Sequence, residues 1–125
     1  MIDSETGLAR SVPGENFVEK DWGYEKWIVN TADYCGKLLH VDEGKRCSWH
    51  YHHQKDETFY VQSGMLHVVL GSDAEELILT PGDSLHIPPG TLHRFAALED
   101  TDFFEFSTHH DDEDTVRLVE GAQVR

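Results

Sequence analysis

The stretch "GKRCSWHYHHQKDETFYVQSG", Gly44 to Gly64, sets three histidines and a glutamate between two glycines. In a β-strand, side chains two residues apart share a face, so His50 and His52 point one way while Tyr51 and His53 point the other. A turn at Gln54-Lys55-Asp56 lets the chain reverse, and Glu57, opening the next strand, returns beside the pair. Two imidazoles and a carboxylate form a mixed nitrogen and oxygen set that suits a divalent transition metal. Histidine pairs at this spacing also stand on exposed strand faces that bind nothing, so the stretch alone leaves both readings open.

Outward from it the chain keeps one rhythm. Segments rich in Val, Ile, Leu, Phe, Tyr and Trp ("YEKWIVN", "GKLLHV", "CSWHYH", "TFYVQ", "MLHVVLG", "EELILT", "SLHIP", "HRFAAL", "DFFEFS") alternate with Gly, Asp and Pro turn signals. No window sustains a helical period before the last dozen residues, where "DDEDTVRLVEG" can form one short turn. The expected fold class is therefore all-β, a single sandwich or jelly-roll domain. The polar start, with Pro13 and Gly14, reads as an arm or edge segment over 1–21, the barrel body as 22–108, and the remainder as an acidic tail over 109–125.

A second stretch, "PGDSLHIPPGTLHRF" from Pro81 to Phe95, supplies a further histidine. Pro88-Pro89-Gly90 is a rigid turn that ends the strand before it, and His93 opens the next. A turn stiffened by two prolines fixes where the following side chain points, as a fourth ligand from a distant part of the chain requires.

Together the two stretches resemble the two cupin motifs. Gly44, His50, His52, Glu57 and Gly64 match the first, and Gly82, Pro88, Gly90 and His93 the second; Ala97 stands where the family usually has Asn. The resemblance spans Trp22 to Ser107. It implies a jelly-roll barrel, or double-stranded β-helix, with one divalent transition metal ion (Mn, Fe, Co, Ni or Zn) held in its mouth by His50, His52, Glu57 and His93, and with His53 facing away. "EKDWGYEKWIV" and "EFSTHHDDEDTVRL" are further similar to segments flanking the cupin domain of type II mannose-6-phosphate isomerases, and D-lyxose isomerases share the ligand set. That resemblance implies an aldose–ketose isomerase acting on a sugar or sugar phosphate. An iron-dependent dioxygenase, or a non-catalytic cupin that binds a carbohydrate or other small molecule, would use the same four residues.

An isomerase also needs a group that moves a proton. Lys37 shares a face with Leu39 and Val41, and Glu105 lies among phenylalanines, so each is a catalytic candidate if its face turns inward. Tyr60 ranks below them, because Glu57, Phe59 and Val61 have the opposite parity. If the substrate carries a phosphate, Arg94 or Arg117 is its expected partner. His40, His67, His86, His109 and His110 have no ligand-like neighbours at strand spacing, and "HHDDED" reads as solvated surface. Trp22, Trp27 and Trp49 read as core or interface.

Composition narrows the partners. A net charge of −14 lacks the clustered Lys and Arg that nucleic acid or an anionic membrane surface requires. No apolar run reaches the roughly 20 residues of a membrane helix, and the start lacks the apolar segment of a secretory signal. A cytoplasmic location is the expectation, with Cys35 and Cys47 as free, partly buried thiols. The expected partners are a small-molecule substrate and, as is common for cupins of this size, a second copy in a homodimer.

Overall fold

Strand alternation runs through residues 16–118, the part of the chain that the structure, a computed structural model, describes. Nine strands form among the described residues: β1 (Phe17–Lys20), β2 (Gly23–Asn30), β3 (Cys35–Val41), β4 (His50–His52), β5 (Glu57–Leu70), β6 (Glu75–Leu79), β7 (Ser84–Ile87), β8 (His93–Ser107) and β9 (Thr115–Arg117). One 3-10 turn, Asp112–Asp114, precedes the last strand. Pairing is antiparallel in the order β1-β2-β3-β8-β4-β9, with β5 along β8 and with β6 and β7 on β5. The result is the jelly-roll barrel that the motifs imply. No helix among the described residues is long and apolar enough to cross a membrane.

The barrel is built on the β5–β8 ribbon. The two strands pair along their whole length, from Glu57 opposite Ser107 to Leu70 opposite His93. Thirteen residues of straight strand would hold Glu57 roughly 43 Å from the His93 end. Instead the ribbon bends where its register shifts, between Val61 and Leu66, and its two ends come together. Gly64 sits in that bend at φ +94, and a Cβ there would lie 2.3 Å from the Asp100 carbonyl oxygen. Thr101, fully buried, locks the other strand: its hydroxyl accepts from the Met65 N–H at 3.0 Å and reaches the Glu99 and Met65 carbonyls at 2.8 and 3.1 Å.

Inside the bend lies the core. Phe59, Phe95 and Phe103 meet with ring centroids 4.8–6.1 Å apart, among Leu39, Val41, Val61, Leu66, Val68 and Ile87. Each buried ring contributes about 1.5–3 kcal/mol from desolvation and about 0.5–1.5 kcal/mol more from its aromatic neighbours.

One expectation changes, and the two expected end segments fall only partly within the described residues. "TFYVQ" and "MLHVVLG" are one strand, as are "HRFAAL" and "DFFEFS", because Ser63-Gly64 and Glu99-Asp100 bend a continuous ribbon where turns were expected. Most of the arm expected over 1–21 falls outside the described residues, and from Phe17 it is an edge strand on β2. Residues 109–118 of the expected tail pack on the barrel, with β9 beside β4; residues 119–125 lie outside the described chain.

Gly64→Ala and Gly44→Ala separate strain from collision. Both put a side chain at positive φ, which costs roughly 1–2 kcal/mol, but a Cβ at Gly44 meets nothing within 4 Å. Thermal unfolding followed by circular dichroism should show the Gly64 variant losing clearly more stability. Equal losses would show that the bend tolerates a side chain.

Candidate metal centre

Three strands deliver four side chains to one point. On β4, His50 lies opposite His93 of β8 on one side and Arg117 of β9 on the other, and His52 lies opposite Thr115. All three histidines are buried, whereas His53 is exposed, as alternation requires. Each buried imidazole is held through Nδ1: His50 donates to the Ser48 carbonyl at 2.8 Å, His93 to the Thr91 carbonyl at 2.8 Å, and His52 lies 2.9 Å from the Thr115 hydroxyl. Carbonyls only accept, so His50 and His93 carry hydrogen on Nδ1 and turn a bare Nε2 inward.

The three histidines offer ligand atoms within 4.8 Å of one another. Glu57 Oε2 lies 3.3 Å from His52 Nε2 and 3.4 Å from His93 Nε2. Both Glu57 Oε2 and His93 Nε2 are buried without a hydrogen-bond partner among the described residues. Unsatisfied acceptors of this kind cost about 1–3 kcal/mol each, and a cation between them removes that penalty. Burial, with His93 next to it, holds the His50 imidazole well below its ordinary pKa, and burial lowers His93 as well. Three imidazoles, those of His50 and His93 held toward the neutral form, and the Glu57 carboxyl group form a donor set that fits a divalent transition metal.

A second group of charges lines the same cavity of about 420 Å³. Lys37 and Glu105 are cross-strand partners on β3 and β8, and both faces turn inward. Lys37 Nζ stands 4.1 Å over the Trp27 ring, 3.8 Å from Glu25 Oε1 and 4.0 Å from Glu105 Oε2. Lys55 reaches in from the Gln54–Asp56 turn, its Nζ 2.5 Å from Glu105 Oε2 and 3.8 Å from Glu57 Oε1. Burial alone would raise the Glu105 pKa, but Lys55 and Lys37 outweigh it and hold the carboxyl at about 2. Burial likewise works against the charged Lys55, yet Glu105 and Glu57 keep its pKa above the ordinary value. Taking ions out of water costs several kcal/mol each even when they are paired. A fold selected only for stability would fill this space with apolar side chains, which makes this cluster of buried charges a candidate functional site.

Lys55 and His110 were not singled out by the strand pattern. Lys55 belongs to a turn, where parity says nothing, and Asp114 fixes that turn by accepting from the Gln54 and Lys55 N–H groups. His110, expected to be ordinary, has Nδ1 3.1 Å from Lys37 Nζ and 3.0 Å from Lys55 Nζ, and its Nε2 donates to Asp112 at 2.8 Å. Burial and the two lysines keep this imidazole below its ordinary pKa, neutral and able to accept. Asn30 clamps its backbone from both sides. "HHDDED" is thus only partly solvated surface: Asp112 and Asp114 each hold a group of the site. Tyr60 faces outward opposite Phe104, and Arg94 stacks on the outside over Trp49 at 4.6 Å. Of the two arginines expected near a phosphate, only Arg117 lines the cavity.

A jelly-roll barrel with three histidines and a glutamate gathered in its mouth defines a class of small β proteins suited to hold a divalent metal. The Cupin domain family matches residues 37–109, and the chain belongs to the cupins. It is 33% identical over 114 residues to a D-lyxose/D-mannose isomerase of Thermosediminibacter oceani, an alignment covering 70% of this chain and 63% of the relative. It is 40% identical over 53 residues to a quercetin 2,3-dioxygenase of Bacillus subtilis, covering 42% of this chain and 15% of that enzyme. Among solved structures, KdgF from a Halomonas species superposes with a TM-score of 0.66 at 27% identity, covering 81% of this chain and 98% of that one. The chain thus spans less than two thirds of the two enzymes and nearly the whole of KdgF.

Cys35 and Cys47 are both free and buried. Cys47 forms part of the cavity wall, and burial pushes its thiol up to about 12; burial raises Cys35 too. Neither forms the reactive thiolate readily. At pH 8, iodoacetamide should leave both unmodified in the native protein and alkylate both in guanidinium, as read by mass. Rapid native labelling of Cys47 would show that the cavity wall opens.

Proposed function

We propose that this cupin is a metal-dependent aldose–ketose isomerase acting on a sugar or sugar phosphate, with His50, His52, Glu57 and His93 as ligands of Mn, Fe, Co, Ni or Zn. One observation carries the reading: an ionised carboxylate at hydrogen-bonding distance from a buried ammonium, Glu105 with Lys55, lines the same cavity as His50, His52 and Glu57, three of the four ligand side chains. The likeness to the D-lyxose/D-mannose isomerase supports it. A bound divalent metal would supply Lewis-acid polarisation of a carbonyl and its neighbouring hydroxyl.

The remaining work falls to the chain itself. Glu105, held at about 2, is ionised throughout the working pH range and accepts a proton at its carboxylate. So acidic a carboxyl is a weak base while Lys55 sits on Oε2. A substrate hydroxyl that enters between them frees Glu105 from its main stabilising partner and strengthens it. Lys55, whose pKa Glu105 and Glu57 hold above the ordinary value, retains a proton that it can return to a developing alkoxide. Leu39, Phe59, Phe95 and Trp22 close the cavity wall and limit water around these charges.

A dioxygenase would be better served by an apolar cavity than by this one, and a purely binding cupin has no use for a buried proton donor and acceptor beside the metal ligands. The proposal extends to a homodimer. Phe17, Phe104 and Phe106 lie on the outer sheet face, Phe17 and Phe106 about half exposed and the Phe104 and Phe106 rings stacked 6.0 Å apart.

The metal and the chemistry are tested separately. Metal analysis should find about one divalent ion per chain, lost in His50→Ala/His93→Ala and kept in His53→Ala; unchanged content in the double variant would remove the site. Incubation with aldoses in deuterated water should place deuterium next to the carbonyl, and Glu105→Gln should cut kcat by about 10²–10⁴ while keeping the metal. Oxygen consumption with bound iron, and no exchange, would favour the dioxygenase. Light scattering should give twice the chain mass, falling to one in Phe106→Asp.

A further inference from the structure

The cavity reverses the charge balance of the chain. Acidic residues outnumber basic ones by 24 to 10 in the whole sequence, yet the cavity wall holds Lys20, Lys37, Arg46, Lys55 and Arg117 against Asp21, Glu25, Glu57 and Glu105. Half of the ten basic residues therefore face one opening.

Most of these charges answer one another. Lys37 and Lys55 meet Glu105, and Lys20 lies 4.0 Å from Glu25. Arg46 and Arg117 do not: both are exposed at the mouth, and neither side chain has an ion pair or hydrogen bond among the described residues. Their positions are set by backbone. Arg117 is the cross-strand partner of His50, two residues beyond Thr115, which holds His52, so it stands on the ligand face of the barrel. Arg46 bridges to Ala96 and precedes by two residues Ser48, whose carbonyl orients His50. In so acidic a protein, two guanidiniums over one polar cavity, neither with an ion pair among the described residues, offer an anion from outside the chain a favourable local field.

We propose that Arg46 and Arg117 form a subsite for an anionic group, a carboxylate or phosphate, carried by the substrate whose other end reaches the four ligand side chains. The planar guanidinium fork matches either anion through paired N–H donors. This assignment rests on the cavity being the substrate site, and it turns the choice between neutral and charged sugars toward the charged. Arg117 makes the C-terminal strand part of the specificity of the site.

Binding of metal-loaded protein to mannose, glucuronate and mannose 6-phosphate, measured by calorimetry at low and moderate salt, needs no turnover. Wild type should bind at least one of the two charged sugars about tenfold or more tightly than mannose, with the margin shrinking as salt rises. Glucuronate and the phosphate ester as separate arms identify which anion is preferred. Arg46→Ala/Arg117→Ala should abolish the margin, Arg117→Lys should restore part of it, and Arg94→Ala, outside the cavity, should leave it intact. Equal binding of charged and neutral sugars by wild type, no binding of any of them, or a margin that survives in the double variant, overturns the proposal. Tight anion-dependent binding without deuterium exchange would keep this subsite while removing the isomerase reading; exchange on neutral sugars without a charge margin would do the reverse.

Discussion

A folded-back ribbon governs this protein. β5 and β8 remain partners over their entire length, yet Glu57 at one end and His93 at the other come within 3.4 Å. Only a sharp bend reconciles these facts, and Gly64 and Thr101 make it. The glycine lets two backbones approach more closely than a Cβ permits, and the threonine hydroxyl supplies hydrogen bonds that the interrupted ladder loses. The glycine that closes the first motif thus acts on the site without being near it in role: it brings the ends of one ribbon to a common point.

Around that point the fold accepts a stability penalty. Lys37, Lys55, Glu57 and Glu105 are all buried, and each charge is tolerable only because another stands beside it. The group is held by separate elements: Lys37 by β3, Glu57 by β5, Glu105 by β8, and Lys55 by a turn pinned through Asp114. Small relative movements of these elements would leave an ion unpaired in a poorly hydrated space. The arrangement therefore ties the rigidity of the barrel to the electrostatics of its mouth.

What could be read from the chain follows from where periodicity holds. His50 and His52 were legible because strand parity is strict, and Glu57 and His93 because turns of fixed length precede them. Lys37 and Glu105 could be named only conditionally, since parity pairs residues without saying which face is inward; their cross-strand register settles it. Lys55 and His110 were invisible for a different reason. Both lie outside strands, on segments fixed by side-chain hydrogen bonds from Asp114 and Asn30 at separations of 59 and 80 residues, a distance over which local patterns carry no information. The same limit hid the continuity of the two long strands, whose bend uses residues that ordinarily make turns.

Trp27 gives one further consequence. Its indole lies flat beneath the Lys37 ammonium, donates Nε1–H to Glu25 at 2.9 Å, and meets the His110 ring edge-on. Indole emission responds to the charges about it, and here those charges belong to the cavity. The fold thus carries an optical gauge of its own interior, in which a shift of colour reports a rearrangement of ions that no chromophore was added to detect.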